Sequence, residues 1–129
     1  AADIEVVIDG SEIHASRWLT LCEAITEHEA GQLGMLPPTY FTLLSLARYD
    51  NVAQMVAAER ESPVPEVFPV VASNGDQLMV MFRGDAGYES ADGSIAGARH
   101  RAVLRGACWH YQYRDVDPAY PPLIPPAQA

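Results

Sequence analysis

The sequence predicts an α+β fold: an N-terminal β-hairpin, two or three helices, then an antiparallel sheet of about four strands. Three observations carry this. Apolar residues before Pro63 recur at helical spacing, residues after it alternate as in strands, and the run Ser62-Pro63-Val64-Pro65 divides the two regimes. The 129 residues are 49% hydrophobic and 19% charged, the material of one globular domain. The domain is therefore read as 1–129, with 115–129 a Pro-rich extended tail.

Each element has its own local reason. Ile4-Glu5-Val6-Val7-Ile8 is rich in β-branched residues, Asp9-Gly10 is a hairpin signal, and 11–14 reads as the returning strand. Ser16 is read as the cap of a first helix whose apolar stripe is Trp18, Leu21, Cys22 and Ile25, with Gly31 and Gly34 ending it. Pro37-Pro38 punctuates the chain. Thr39 then caps a second helix, which Asp50-Asn51 divides into two pieces ending near Glu61. Residues 67–72 read as a strand, with Pro69 at its start or at a sheet edge. Asn74-Gly75 predicts a type I′ turn into 77–83, with Leu78, Val80 and Phe82 on one face and Met79 and Met81 on the other. Residues 84–98 read as a long loop, 101–105 and 107–114 as strands, and Gly106 as a bend or bulge between them. The prolines from Pro118 to Pro126 leave the tail extended or polyproline-like.

Charge narrows the function classes. The net charge is −9, and all eight basic residues are Arg, a lysine-free composition that suits a GC-rich bacterial coding bias. The acidity is uneven, at net −7 over residues 1–62 and −2 over 63–129. A chain this acidic makes a poor nucleic-acid binder, because phosphate contacts need clustered cations, and it suits a basic protein partner. No apolar run approaches the roughly 20 residues of a spanning helix, so no membrane is expected. Nothing at the N-terminus reads as a signal peptide, so the expected location is cytoplasmic, with Cys22 and Cys108 reduced and buried.

Few residues suggest chemistry. In a strand, Cys108, His110, Gln112 and Arg114 share one face and Trp109, Tyr111 and Tyr113 the other, which offers His110 as a weak catalytic candidate for acid or base work. Trp109, Tyr111, Tyr113, Met79 and Met81 are candidate binding residues for a small apolar ligand. Among side chains able to anchor a protein partner, Tyr88, Trp109, Tyr111 and Tyr120 are expected to be exposed. Arg99 and Arg101, in the basic cluster Arg99-His100-Arg101, are candidate anion ligands, or else salt-bridge partners in an acidic protein. His100, Cys108 and His110 lack the paired spacing of a zinc site, so no metal and no cofactor is expected. His28 continues the apolar stripe of the first helix and reads as a satisfied core residue.

The pattern Ile25-x3-Glu29-x6-Leu36-Pro37-x2-Tyr40-x2-Leu43-Leu44 partly resembles the helix–Leu-Pro–helix opening of the SMI1/KNR4-like (SUKH) domains. It covers about 20 residues. The resemblance implies an α+β module of a kind in which many members are immunity proteins that neutralise toxins. The chain departs from the pattern where Asp50-Asn51-Val52 replaces the usual glycine pair, and in its predicted N-terminal hairpin.

Two readings of function follow. One is a small acidic non-enzymatic binding module, immunity- or inhibitor-like, for a basic protein. The other is a small α+β enzyme or ligand carrier, with an apolar pocket between helices and a curled sheet and His110 as its acid or base. A filled core with an exposed apolar patch favours the first; an apolar pocket with convergent polar groups favours the second.

Overall fold

In the computed structural model, which describes residues 4–13 and 15–124, three helices precede four strands. Helix α1 spans Leu21–Glu29, α2 Pro37–Leu46 and α3 Val52–Glu61. The strands are β1 Val70–Asn74, β2 Gln77–Met81, β3 Arg99–Arg105 and β4 Cys108–Arg114. They form one antiparallel meander in the order β1-β2-β3-β4.

The N-terminal hairpin is not formed. Residues 4–9 are unpaired, and the Asp9 carboxylate accepts hydrogen bonds from the Ser11 and Ile13 amides. A turn therefore survives at the predicted place without a ladder beside it, as expected of a two-stranded hairpin with no sheet to join. The end of the predicted returning strand, His14, lies outside the described residues.

Helix α1 begins four residues later than Ser16 implies. Thr20 is the cap: its hydroxyl accepts from the Glu23 amide, and the Glu23 carboxylate accepts from the Thr20 amide. This reciprocal capping box satisfies two amide donors at once, which a lone serine does not. Trp18 is left outside the helix, 71% exposed, and Cys22 is exposed rather than buried. Helix α2 starts at Pro37 itself rather than after Thr39, because a proline in the first turn lacks only an amide that would have no helical partner anyway. Asn51 caps α3 through the Gln54 amide, so the predicted break at Asp50-Asn51 is a true helix start.

The sheet follows the predicted alternation with small shifts. β1 begins at Val70, directly after Pro69, which has no N–H to give a ladder. The β1–β2 turn sits one residue later than predicted: Asn74 pairs with Gln77, leaving Gly75-Asp76 as the loop. Only Gly75 has a positive φ, the signature of type II′ rather than I′.

Two cores lie on opposite faces of this sheet. Tyr40 and Phe41 of α2 pack on Phe82, Ala102, Trp109 and Ile124, with Ile25, Leu44 and Tyr111 around them. On the other face Ala72, Met79, Met81 and Val103 form a second cluster, joined by Tyr88. The 84–98 loop closes that face. It runs so near the sheet that a Cβ at Gly93 would fall 2.5 Å from Met79 Sδ.

Candidate interaction surface

The helices cover the β3–β4 half of their face of the sheet. The β1–β2 half is left bare: Val71 and Leu78 point to the same side as Val80 and Phe82, and both are exposed. Helix α3 buries none of its residues. It is tied to the end of α2 through Glu59, which accepts hydrogen bonds from Tyr49 Oη at 2.8 Å and Arg48 Nη2 at 3.2 Å. The polar anchor leaves Val52 and Val56 facing water. The extended segment 63–69 adds Phe68, 58% exposed, and the N-terminal segment adds Val7 and Trp18.

Acidic side chains are interleaved with these apolar ones. Glu5, Asp9 and Glu12 are exposed on the first segment, and Asp50, Glu59, Glu61 and Glu66 are exposed on or beside α3. Arg17 is engaged by Glu27, and Arg48 by Glu59. Exposed apolar side chains and exposed carboxylates thus recur together along residues 4–18 and 50–78. Large apolar side chains left in water with a charged rim are the usual mark of a docking surface.

The residues singled out in the sequence are dispersed. Met79 and Met81 belong to the cluster under the loop, whereas Trp109 belongs to the cluster under the helices, so these candidates do not line one pocket. Trp109 is buried and donates from Nε1 to the Met35 carbonyl at 2.8 Å. Tyr111 Oη accepts from the Leu123 amide at 3.0 Å, and Tyr113 Oη donates to the Tyr120 carbonyl at 2.7 Å. Burial pushes the Tyr111 hydroxyl up to about 12, so it acts as a neutral hydrogen-bonding group. Of the four aromatic residues expected at the surface, Tyr120 is exposed, Tyr88 and Tyr111 are half-buried and Trp109 is buried. His110 is exposed on β4, opposite Val103.

Arg101 is not a free anion ligand. Its Nε and Nη2 donate to both Asp85 carboxylate oxygens at 2.7 and 2.6 Å, and its Nη1 donates to the Gly93 carbonyl at 2.9 Å. Asp85 also accepts from the Gly87 and His100 amides. Burial pushes the Asp85 carboxyl up, but the Arg101 hydrogen bonds, those two amides and the Arg101 charge outweigh it and hold the carboxyl below its usual range. Arg99 is turned back onto the chain, donating to the Ile95 and Ala98 carbonyls.

His28 is buried, with Nδ1 2.9 Å from the Leu33 carbonyl and Nε2 accepting from the Trp109 amide at 3.4 Å. Both nitrogens are occupied by main-chain partners, which makes it a bolt between α1 and β4. Cys108 is half-buried, and burial followed by the nearby Glu29 charge pushes its thiol up, away from the reactive thiolate. Among the described residues, no three His, Cys, Asp or Glu side chains gather where they would hold a metal ion. Among the described residues, no helix is long and apolar enough to cross a membrane.

Sequence reasoning missed Trp18 and Phe68. Trp18 fits the helical stripe by spacing, and only the Thr20-x2-Glu23 capping box places it before the helix. Phe68 precedes Pro69, the residue that delays the strand. Comparison of the chain with models of protein families, with curated proteins and with solved structures finds no match.

Proposed function

We propose that this chain is a non-enzymatic interaction module that docks a basic protein partner through the exposed apolar side chains, interleaved with carboxylates, of residues 4–18 and 50–78. The observation that carries the reading is the exposure of Trp18 and Phe68 on segments whose charged residues are mostly acidic. Carboxylates around an apolar centre speed the encounter with a basic surface, and the desolvated aromatic groups hold the complex. An inhibitor- or immunity-like role fits this division of labour. A cytoplasmic location belongs to the same proposal, since Cys22 and Cys108 are unpaired thiols suited to a reducing compartment.

The enzyme or carrier reading has less support. The space between helices and sheet is filled by Tyr40, Phe41, Phe82, Trp109 and Ile124, and His110 stands on the opposite face. A shallow hollow of about 120 Å³ among Val6, Ser16, Arg17 and Trp18 is small beside the roughly 300 Å³ or more of a ligand pocket.

The test is binding kinetics with the partner captured from the native host, measured from 50 to 500 mM NaCl. The association rate is expected to fall by about tenfold or more across the series. Trp18→Ala and Phe68→Ala are each expected to speed dissociation by about tenfold. An association rate indifferent to salt removes the electrostatic part of the proposal. Turnover of a small molecule that disappears in His110→Ala replaces it with the enzyme reading.

A further inference from the structure

His100 is 3% exposed near the start of β3, and its side chain lies on the face covered by the helices. Nδ1 is 2.7 Å from the Arg83 carbonyl oxygen, so that nitrogen carries the proton and donates it. Nε2 is fully buried and meets no hydrogen-bond partner among the described residues. Three aromatic rings enclose it: Phe82 at 5.3 Å, Tyr111 at 5.8 Å and Tyr113 at 5.1 Å between centroids. A lone pair tolerates such a box. A proton there adds a charge and a donor with nothing to receive it.

Two of these walls also hold the segment 115–124. Tyr113 Oη donates to the Tyr120 carbonyl, and Tyr111 Oη accepts from the Leu123 amide, which carries Ile124 into the core. Val116 and Tyr120 press against Gly84, where a Cβ would fall 2.6 Å from Val116 Cγ1. The segment is a strap, and both of its side-chain bolts are rings that touch His100.

We propose that His100 is an acid-sensitive latch for this strap: uptake of a proton at Nε2 displaces Tyr111 and Tyr113, releases residues 115–124 and bares the aromatic face beneath them.

The charges around the ring do not relieve an imidazolium. Asp85 accepts the His100 amide, but its carboxylate is committed to Arg101 on the opposite face of the strand. Arg83 offers only its carbonyl, its guanidinium lying 5.6 Å over the Phe68 ring. Arg99 is turned to the Ile95 carbonyl, and Arg114, Asp115 and Asp117 are exposed. From α2, the group packed against Phe82 and Tyr111 is the uncharged Phe41. Burial pulls His100 below its ordinary value, against the weaker pull of the Arg83 carbonyl and the Asp85 charge. A freed His100 therefore binds protons more tightly than the latched one. The closed strap keeps its full stability above about pH 6.5, the ordinary histidine value, and loses it as pH falls below that.

The experiment is amide hydrogen exchange by NMR on the full chain at pH 7.5 and 5.0, corrected for intrinsic rates. The Leu123 amide is expected to lose protection by at least about tenfold at pH 5.0 while the β2 and β3 amides keep theirs. His100→Asn, which retains a donor toward the Arg83 carbonyl but cannot titrate, is expected to hold the strap at both pH values. Gly84→Ala is expected to loosen it at both. Should His100→Asn not fold, titration of the His100 ring signal in the unaltered protein decides: its midpoint must coincide with strap opening. The latch is overturned by unchanged Leu123 protection at pH 5.0, by strap and β3 opening together, by His100→Asn keeping the acid response, or by midpoints that do not coincide.

Discussion

Asp85 and Arg101 show how a charged pair is made tolerable inside a small domain. Their side chains are 0% and 4% exposed, and between them they satisfy two main-chain amides and one carbonyl as well as each other. Asp85→Ala leaves those two amides unpaired and a buried guanidinium without its counter-charge, so it is expected to cost about 3–5 kcal/mol in denaturant unfolding. A double replacement by Leu at 85 and Met at 101 recovers only part of this, because the amides stay unpaired. The same group sets an acid limit. Its folded carboxyl titrates below the ordinary value, so the pair's stabilisation is present above about pH 4 and is lost as pH falls through the lower folded value. Denaturant midpoints from pH 5 down to 2.5 are expected to fall less steeply in Asp85→Asn than in the unaltered chain. Part of this was legible: alternation in β3 puts Arg101 beside Val103's face, the face that buries Met79 and Met81, and a cation there demands a partner. Which acid answers it was not legible, because Asp85 lies 16 residues away and the two meet only through the fold of the loop.

At the level of elements, the strands and helices were largely written locally, and the irregular segments were not. The alternation of Leu78, Val80 and Phe82 against Met79 and Met81 is what the register shows. The glycines of 84–98 marked a loop, yet nothing in them announces that the loop is the lid of the second core. The segment 4–13 failed the other way, strong in strand residues but paired with no strand of the sheet. In the strap, the prolines predict an extended or polyproline-like course, whereas residues 117–120 make a turn closed by the Tyr120 amide on the Asp117 carbonyl, and its closeness to the sheet depends on Gly84. That residue has φ +96°, and a Cβ there would also meet Tyr120 Cδ2 at 3.1 Å. Gly84→Ala therefore combines backbone strain with a clash against two strap residues. It is expected to destabilise by about 2–3 kcal/mol and to speed proteolytic cutting within 115–124 before the sheet unfolds. Cutting first at another segment, or no loss of stability, removes the close-packed strap from the account.

For the whole molecule, salt separates two uses of the same charge. There are 17 acids against 8 Arg. Four of those Arg are paired with acids among the described residues: Arg17, Arg48, Arg101 and, at 3.9 Å, Arg114. Most carboxylates therefore make no ion pair among the described residues, and a net −9 works against the compact state. Shortening the screening length from about 30 Å at 0.01 M salt to about 8 Å at 0.15 M weakens this repulsion while leaving the buried Asp85–Arg101 pair nearly untouched. The isolated chain is expected to become more stable with added NaCl, and a gain of about 1 kcal/mol raises Tm by roughly 4 °C for a domain of this size. Binding to a basic partner responds in the opposite sense, since the field that screening removes is the one that draws the partner in. Calorimetric Tm and association rate, measured in the same buffers from 10 to 300 mM NaCl, should therefore move in opposite directions. A Tm that falls with salt would mean that the surface ion pairs outweigh the repulsion, and the excess of acid would then need another explanation than a partner it is there to attract.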